Sequence, residues 1–247
     1  MRGLKQLTLV DIKLYLREPM AAFFTLIFGP MVLLLFATIF GNDPVPEFGG
    51  YGMVDISVPA YVGMIIASVG LLGIGINTAA QREYGVLRRF QATPLPPLVY
   101  LGADVLVSFL LTLLGFFILI VEGKLIWNLR FDGNPLSVLA GFTLSALAFF
   151  ALGYLIASLS PTARVAQVAG MALFYPMLFL SGAAIPLEMI PENVQHWSRL
   201  LPLTHVVTLM RGLWAGDSWG QHWVEAGVLV GMLVIGAPLS ARLFRWE

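Results

Sequence analysis

Hydrophobic residues along the chain form six long stretches, separated by shorter segments that carry most of the charges. The stretches are Met20–Phe40, Val58–Ala80, Leu98–Val121, Leu136–Leu159, Val165–Ala183 and Val224–Ala241. A helix needs about 20 mostly apolar residues to cross the ~30 Å hydrocarbon core of a bilayer. Backbone groups in hydrocarbon must bond within their own segment, and the period-two alternation of a membrane barrel is missing. The pattern therefore predicts six transmembrane helices.

Composition agrees with a lipid-facing exterior. Apolar residues make up 58% of the 247 residues and charged residues 11%, with a mean hydropathy of +0.85. A soluble domain carries roughly 25% charged residues. The formal net charge is zero, which gives no basic excess for a nucleic-acid partner, and cysteine is absent. We predict one all-α polytopic membrane domain over residues 1–247, with five spans within 20–183 and the sixth at 224–241.

The distribution of Lys and Arg predicts the orientation. With the N-terminus inside, ten basic residues face the cytoplasm and four face outward. The inner ten are Arg2, Lys5, Lys13, Arg17, Arg82, Arg88, Arg89, Arg164, Arg242 and Arg245, and the outer four are Lys124, Arg130, Arg199 and Arg211. Short cytoplasmic loops are enriched in basic residues. Both termini are therefore predicted to be cytoplasmic, and charges within residues 1–18 argue against a cleavable signal peptide.

Two segments on the predicted inner side mix charged with apolar residues. Residues 1–18 predict an interfacial helix that Pro19 ends. The loop 81–97 reads QREYGVLRRFQATPLPP, a short charged helix followed by a proline-rich turn. Its apolar residues fit a docking surface for a cytoplasmic partner, or equally a helix end buried against the neighbouring spans.

The outer segment 184–223 is too apolar for an ordinary loop. It contains Val194–Leu201 and Leu203–Trp214, which have helical periodicity but are too short to cross. Pro186, Pro191 and Pro202 punctuate the segment. We predict an outer re-entrant helical hairpin between the fifth and sixth spans.

The chemistry-bearing residues do not form a catalytic, metal or nucleotide site. A P-loop requires Gly-x-x-x-x-Gly-Lys-[Ser/Thr], and none of the three lysines stands in that pattern. His196, His205 and His222 lack the spacing of metal ligands. Ionisable residues are missing from the middles of the spans, and Asp104 is the nearest case. We expect Asp104 to have an interfacial partner such as Arg164, Arg88 or Arg89.

Two long pieces of the chain resemble a known family. They are REYGVLRRFQATPLPPLVYLGADVL (Arg82–Leu106) after the second span and FLSGAAIPLEMIPENVQHWSRLLPLTHVVTLMRGLWAG (Phe179–Gly216) after the fifth. Their order and predicted sides resemble the membrane subunit, or permease, of ABC-2 type exporters, a group that includes permeases related to daunorubicin export and polysaccharide exporters. In that family a Gly follows the Glu of the first piece by three to four residues. Here Gly85 follows Glu83 by two.

The resemblance implies roles for residues at both ends of the spans. The coupling helix that contacts an ATP-binding subunit would include Arg82, Glu83, Gly85, Leu87, Arg88, Arg89 and Phe90, with a second contact at Ser160 and Arg164. The outer gate candidates are Pro186, Glu188, Pro202, Thr204, His205 and Arg211. The implied assembly has two permeases, as identical copies or paralogues, and two ATP-binding subunits that hold ATP and Mg, all within membrane lipid. This chain itself would bind no cofactor and would have no catalytic residue.

The expected function is therefore export of a hydrophobic or amphipathic substrate, such as a drug, a lipid or a lipid-linked glycan, across a bacterial or archaeal cell membrane. The alternative is an ion-coupled secondary transporter that works without an ATPase, although the uncharged span middles argue against it. A third class is a membrane scaffold that transports nothing.

Overall fold

The six predicted spans are present as helices in the computed structural model, which describes residues 23–86 and 97–244, with side chains from residue 101 in the second range. By length and composition, six helical segments in these ranges can cross a membrane. The helices are α1 (Phe28–Phe40), α2 (Met53–Ala67), α3 (Gly75–Glu83), α4 (Pro97–Trp127), α5 (Pro135–Leu159), α6 (Ala163–Leu180), α7 (Glu192–Ser198), α8 (Pro202–Ala215) and α9 (Trp223–Leu243). A π-helical turn, Phe23–Ile27, precedes α1, and a second π-helical segment, Ser68–Ile74, joins α2 to α3.

Some of the predicted features lie outside the described residues. These are the interfacial helix at 1–18 and the coupling-helix residues Leu87, Arg88, Arg89 and Phe90. We use "outer end" for the end of the bundle that holds residues 41–52, 128–134 and 181–222, after the predicted orientation, and "inner end" for the opposite one.

The second span, α2 through α3, forms the centre of the bundle. In its most apolar stretch 89% of the residues are buried, against 11% for α9. Glycine brings this span against the fourth span backbone to backbone. A Cβ on Gly70 would lie 2.6 Å from the Phe149 carbonyl oxygen, and one on Gly153 would lie 2.0 Å from the Gly70 oxygen. Lipid is as apolar as the helix surfaces, so the hydrophobic effect does not drive helices together in a membrane. Small residues instead let the backbones approach closely enough for van der Waals contacts.

Helix α8 is buried although it is too short to cross. Leu203, Val206 and Val207 pack on Gly63 of α2. Gly63 lies ten residues after Met53, the first residue of α2, which is about 15 Å along the helix axis. Helix α8 thus starts deep beside the second span and ends at the outer end. The two short helices that were predicted in this segment are present, and entry of their hairpin into lipid stays a prediction.

Two helices extend beyond the predicted spans at the outer end. The first outer loop ends at Gly52 rather than Ser57, so Asp55 lies in the first turn of α2, where its Oδ2 accepts a hydrogen bond from the Gly52 N–H at 3.0 Å. The helix of the third span, α4, continues to Trp127 rather than ending at Val121, and it therefore includes Glu122. Helices begin at capping residues and continue past the apolar stretch, so hydropathy alone misplaces their ends.

Candidate functional site

The inner end of α3 is bonded to the turn between the fourth and fifth spans by two adjacent charged residues. Arg82 donates from Nη1 to the Ala157 carbonyl oxygen at 3.1 Å and from Nη2 to the Ser160 carbonyl oxygen. The Glu83 Oε2 accepts a hydrogen bond from the Ala163 N–H at 2.7 Å. We call this group of five residues the inner clamp.

The signs of the two charges match the helix ends that they contact. Ala157 and Ser160 stand at the C-terminus of α5, where unpaired carbonyls carry partial negative charge, and Arg82 supplies a cation. Ala163 begins α6, where unpaired N–H groups carry partial positive charge, and Glu83 supplies an anion. The Thr162 side chain caps the same helix by accepting from the Val165 N–H at 3.3 Å. The turn is thereby held to the end of the second span.

The inner site predicted from the sequence is partly assembled in this region. The structure brings Arg82, Glu83 and Ser160 together, and Arg164 lies exposed on the first turn of α6. Gly85 adopts φ +68°, a left-handed conformation that ends the helical run, and Tyr84 beside it is 74% exposed. Contact of these residues with an ATP-binding subunit stays a prediction.

Asp104 lies near the inner end of α4 and bonds to the fourth span. The Tyr154 hydroxyl of α5 donates a hydrogen bond to Asp104 Oδ2. Arg88 and Arg89, two of the expected ion-pair partners, lie outside the described residues, so the ion pair stays a prediction.

At the outer end, two of the predicted gate residues form an ion pair that we call the outer latch. Arg211 Nη2 lies 2.7 Å from Glu188 Oε1, and Nη1 lies 3.3 Å from Oε2. The side chains are 19% and 35% exposed, respectively. The pair joins α8 to the 3₁₀ turn Leu187–Met189, which follows the fifth span. A bidentate arginine–carboxylate pair fixes geometry better than a single contact does.

The other predicted gate residues hold the connection between α7 and α8. Thr204 Oγ1 donates to the Ser198 carbonyl oxygen at 2.6 Å, and His205 Nε2 lies 3.0 Å from the Arg199 carbonyl oxygen. Pro202 is the first residue of α8, where a missing N–H has no cost, and Pro186 precedes the 3₁₀ turn. Pro202, Thr204 and His205 thus fix the connection between α7 and α8, and Pro186 marks the start of the 3₁₀ turn before α7.

A cavity of about 330 Å³ opens beside the latch at the outer end, and we call it the outer cavity. Its ionisable lining residues are Tyr51, Asp55, Glu188, Arg211, Asp217 and His222. Burial and the hydrogen bond to Asp132 raise the pKa of Tyr51 above its ordinary value, so its hydroxyl remains a donor. The latch residues Glu188 and Arg211 both line this cavity, which is large enough for a small molecule.

Sequence reasoning missed a polar network that ties the outer connections together. Asp55 Oδ1 accepts from Asn42 Nδ2 at 3.1 Å and from the Arg130 N–H at 2.8 Å, and Asn42 Oδ1 accepts from the Val54 N–H at 3.0 Å. Trp214 of α8 donates from Nε1 to the Arg130 carbonyl oxygen at 2.9 Å. The available signal was an acid three residues after Gly52, which is the spacing of a helix cap.

Comparison with known proteins assigns the family. Residues 44–242 match the family model described as ABC-2 family transporter protein. This range covers most of the chain, from the first outer loop to the end of the sixth span. The chain belongs to the ABC-2 transporter family.

Two of three similar proteins are named as permeases. The chain is 27% identical over 225 residues to the daunorubicin resistance ABC transporter permease protein DrrB1 of Streptomyces coeruleorubidus, which covers 86% of this chain and 75% of the relative. It is 25% identical over 203 residues to the inner membrane transport permease YhhJ of Escherichia coli, covering 76% and 52%. Nodulation protein J of Rhizobium meliloti is 32% identical over 102 residues, covering 41% of this chain and 39% of that protein. The family match and the six helices that can cross a membrane make the chain a membrane protein of the ABC-2 transporter family.

Proposed function

We propose that this chain exports a hydrophobic or amphipathic substrate, driven by ATP hydrolysis on a separate ATP-binding subunit. The functional unit would contain two permeases and two ATP-binding subunits, with N- and C-termini on the cytoplasmic side of a bacterial or archaeal membrane. The resemblance of the inner loop, the missing P-loop and the names of the relatives support this proposal.

The inner clamp is the single observation that carries the proposal furthest. The rest of the proposed coupling segment would follow Gly85 directly, so a push on it by the ATP-binding subunit would reach Arg82 and Glu83 within a few residues. Since Arg82 bonds the end of α5 and Glu83 the start of α6, the push would move the second, fourth and fifth spans together. Transmission of this movement to the spans requires strong, directional bonds, and charge-assisted hydrogen bonds are of that kind.

The outer latch would then act as part of the gate. It joins α8, which packs along the second span, to the turn after the fifth span. The clamp thus joins the second span to the fourth and fifth spans at the inner end, and the latch joins α8 to the turn after the fifth span at the outer end. Movement of that turn relative to α8 would strain the latch and open the outer cavity.

The proposed docking is tested by copurification of the full chain with its ABC ATP-binding subunit, after coexpression of both. Arg88→Ala together with Arg89→Ala should abolish the complex, because both residues belong to the proposed contact surface. Arg242→Ala with Arg245→Ala removes the same charge elsewhere on the inner side and should leave the complex intact. Recovery of the complex with the Arg88 and Arg89 variant would contradict the docking role.

One observation favours the ion-coupled alternative. Both carboxylate oxygens of Glu122, within the helix of the third span, are buried and have no hydrogen-bond partner among the described residues. A buried carboxyl group in a span is a candidate for proton or ion binding. The alternative predicts gradient-driven uptake by the purified chain alone in proteoliposomes, abolished by Glu122→Gln. ATP-driven export requires the ATPase in the same assay.

A further inference from the structure

A second cavity lies next to the outer cavity, on the side of the first span. This second cavity, the side cavity, has a volume of about 300 Å³ and is lined by Phe40, Val45, Met53 and Met189 among others. Phe48 and Glu188 line both cavities. These two residues stand between the cavities, and each cavity has the size of a pocket for a small organic molecule.

The charge on the lining is strongly one-sided. Four carboxylates face the two cavities, those of Glu47, Asp55, Glu188 and Asp217, together with the guanidinium of Arg211. Arg211 and Glu188 compensate each other in the outer latch, which leaves the carboxylates of Glu47, Asp55 and Asp217. Asp217 Oδ2 lies 3.0 Å from His222 Nε2, and this imidazole lines the same cavity. The loop 41–52 above the cavities contains no Lys or Arg. A cleft lined by one sign of charge concentrates ligands of the opposite sign, here cations.

The remaining surface is apolar and aromatic. Phe40 and Phe48 line the side cavity, and Phe48, Tyr51 and Trp214 line the outer cavity. Aromatic rings attract organic cations through their electron-rich faces and bury apolar groups at the same time. A small hydrated metal ion would gain little from such walls, so the chemistry fits a bulky organic cation better.

A buried polar group lies on the inner side of the latch. Tyr61 is 1% exposed, and its hydroxyl lies beside the buried Ser57 side chain. Tyr61 lines a narrow crevice together with Gly182, Pro186 and Arg211. Arg211 also lines the outer cavity, so the latch stands between this crevice and the outside.

We propose that the outer cavity and the side cavity together form a release site for an amphipathic organic cation. Asp217 and Glu47 would hold the charged group, and the aromatic lining would hold the apolar body. The Tyr61 hydroxyl would contact the cation as it passes the latch. This inference rests on the proposed export function, for which it names the substrate class.

Binding of tetraphenylphosphonium to the full chain in phosphatidylcholine nanodiscs tests the proposal. Equilibrium dialysis against empty nanodiscs removes the contribution of partition into lipid. Saturable binding is expected, and tetraphenylborate, which has a similar shape and the opposite charge, should not compete for the site. Equal saturable binding of both ions, or no saturable binding, would overturn the proposal.

Matched variants locate the site. Asp217→Asn should weaken binding of the phosphonium about fivefold, the upper range for a partly exposed charge pair. Glu192→Gln removes a carboxylate on α7 that faces a different surface pocket, and it should bind as the unmodified chain does. If Asp217→Asn fails to fold, Glu47→Gln on the exposed loop takes its place, with the same expected loss. Unchanged binding in the cavity variant would contradict the site.

The binding assay needs no ATPase, so it separates the two proposals. If the chain binds the cation but assembles with no ATP-binding subunit, the release site is supported and the ATP-driven function is wrong. If ATP drives transport but the chain binds no cation, the function is supported and the release site is wrong.

Discussion

Glu83 accepts a hydrogen bond from the backbone N–H of Ala163 at 2.7 Å, although 80 residues separate the two in the chain. The contact joins the last residue of α3 to the first residue of α6. With Arg82 bonded to the end of α5, one pair of neighbouring residues holds the ends of three spans. We infer that the bundle transmits force from its inner end through this contact.

Removal of the Glu83 cap should destabilise the fifth span without unfolding the bundle. Glu83→Ala leaves the Ala163 N–H without its anionic partner, at a cost of about 1 kcal/mol. Glu83→Gln keeps an acceptor and should cost less. Thermal unfolding in detergent checks the order, and Glu192→Ala, an exposed acid in α7, serves as the control. Equal stability of Glu83→Ala and the parent chain would contradict the capping role.

Arg82 should contribute more than Glu83, because it bonds two carbonyl groups. Arg82→Met keeps the apolar stem and leaves both oxygens unpaired at a partly buried site, which costs about 2 kcal/mol. Arg82→Lys should recover only part of the loss, since an ammonium lacks the fork of a guanidinium. The same unfolding assay measures both variants. Full recovery by lysine would show that charge alone matters at this position.

The close contact between the second and fourth spans predicts a strong sensitivity to one methyl group. Gly70→Ala places a Cβ 2.6 Å from the Phe149 carbonyl oxygen, which forces the helices apart and should cost at least about 2 kcal/mol. Gly227→Ala in α9 meets open space and should be neutral or slightly stabilising. Folded yield and unfolding temperature compare the two. Equal behaviour of these alanine variants would contradict the packing.

The spans could be predicted from the sequence because hydropathy is a local property of about 20 residues. The clamp could not, because Arg82 and Glu83 find partners 75 to 80 residues away and the sequence indicates only that they are charged. Glu188 and Arg211 were chosen as gate residues separately, and their pairing required the fold. Glu122 was missed because the apolar stretch ends one residue before it, while the helix continues.

The outer latch should have to open for export. The chain contains no cysteine, so Glu188→Cys with Arg211→Cys allows a short bifunctional thiol reagent to join the two positions without background. The cross-link should stop ATP-driven export, and reduction should restore it. Each single cysteine variant with the same reagent is the control. Export at the normal rate by the cross-linked protein would show that the latch stays closed during transport.

The central claim is that the inner clamp transmits the work of the ATP-binding subunit to the spans. The most direct measurement is the ratio of substrate exported to ATP hydrolysed by the purified complex in proteoliposomes, for the parent chain and for Arg82→Met with Glu83→Gln. We predict that the variant complex assembles and hydrolyses ATP, while the export ratio falls about tenfold, as expected for a loss of ~1.4 kcal/mol of coupling. An assembled variant complex with an unchanged ratio would contradict the claim.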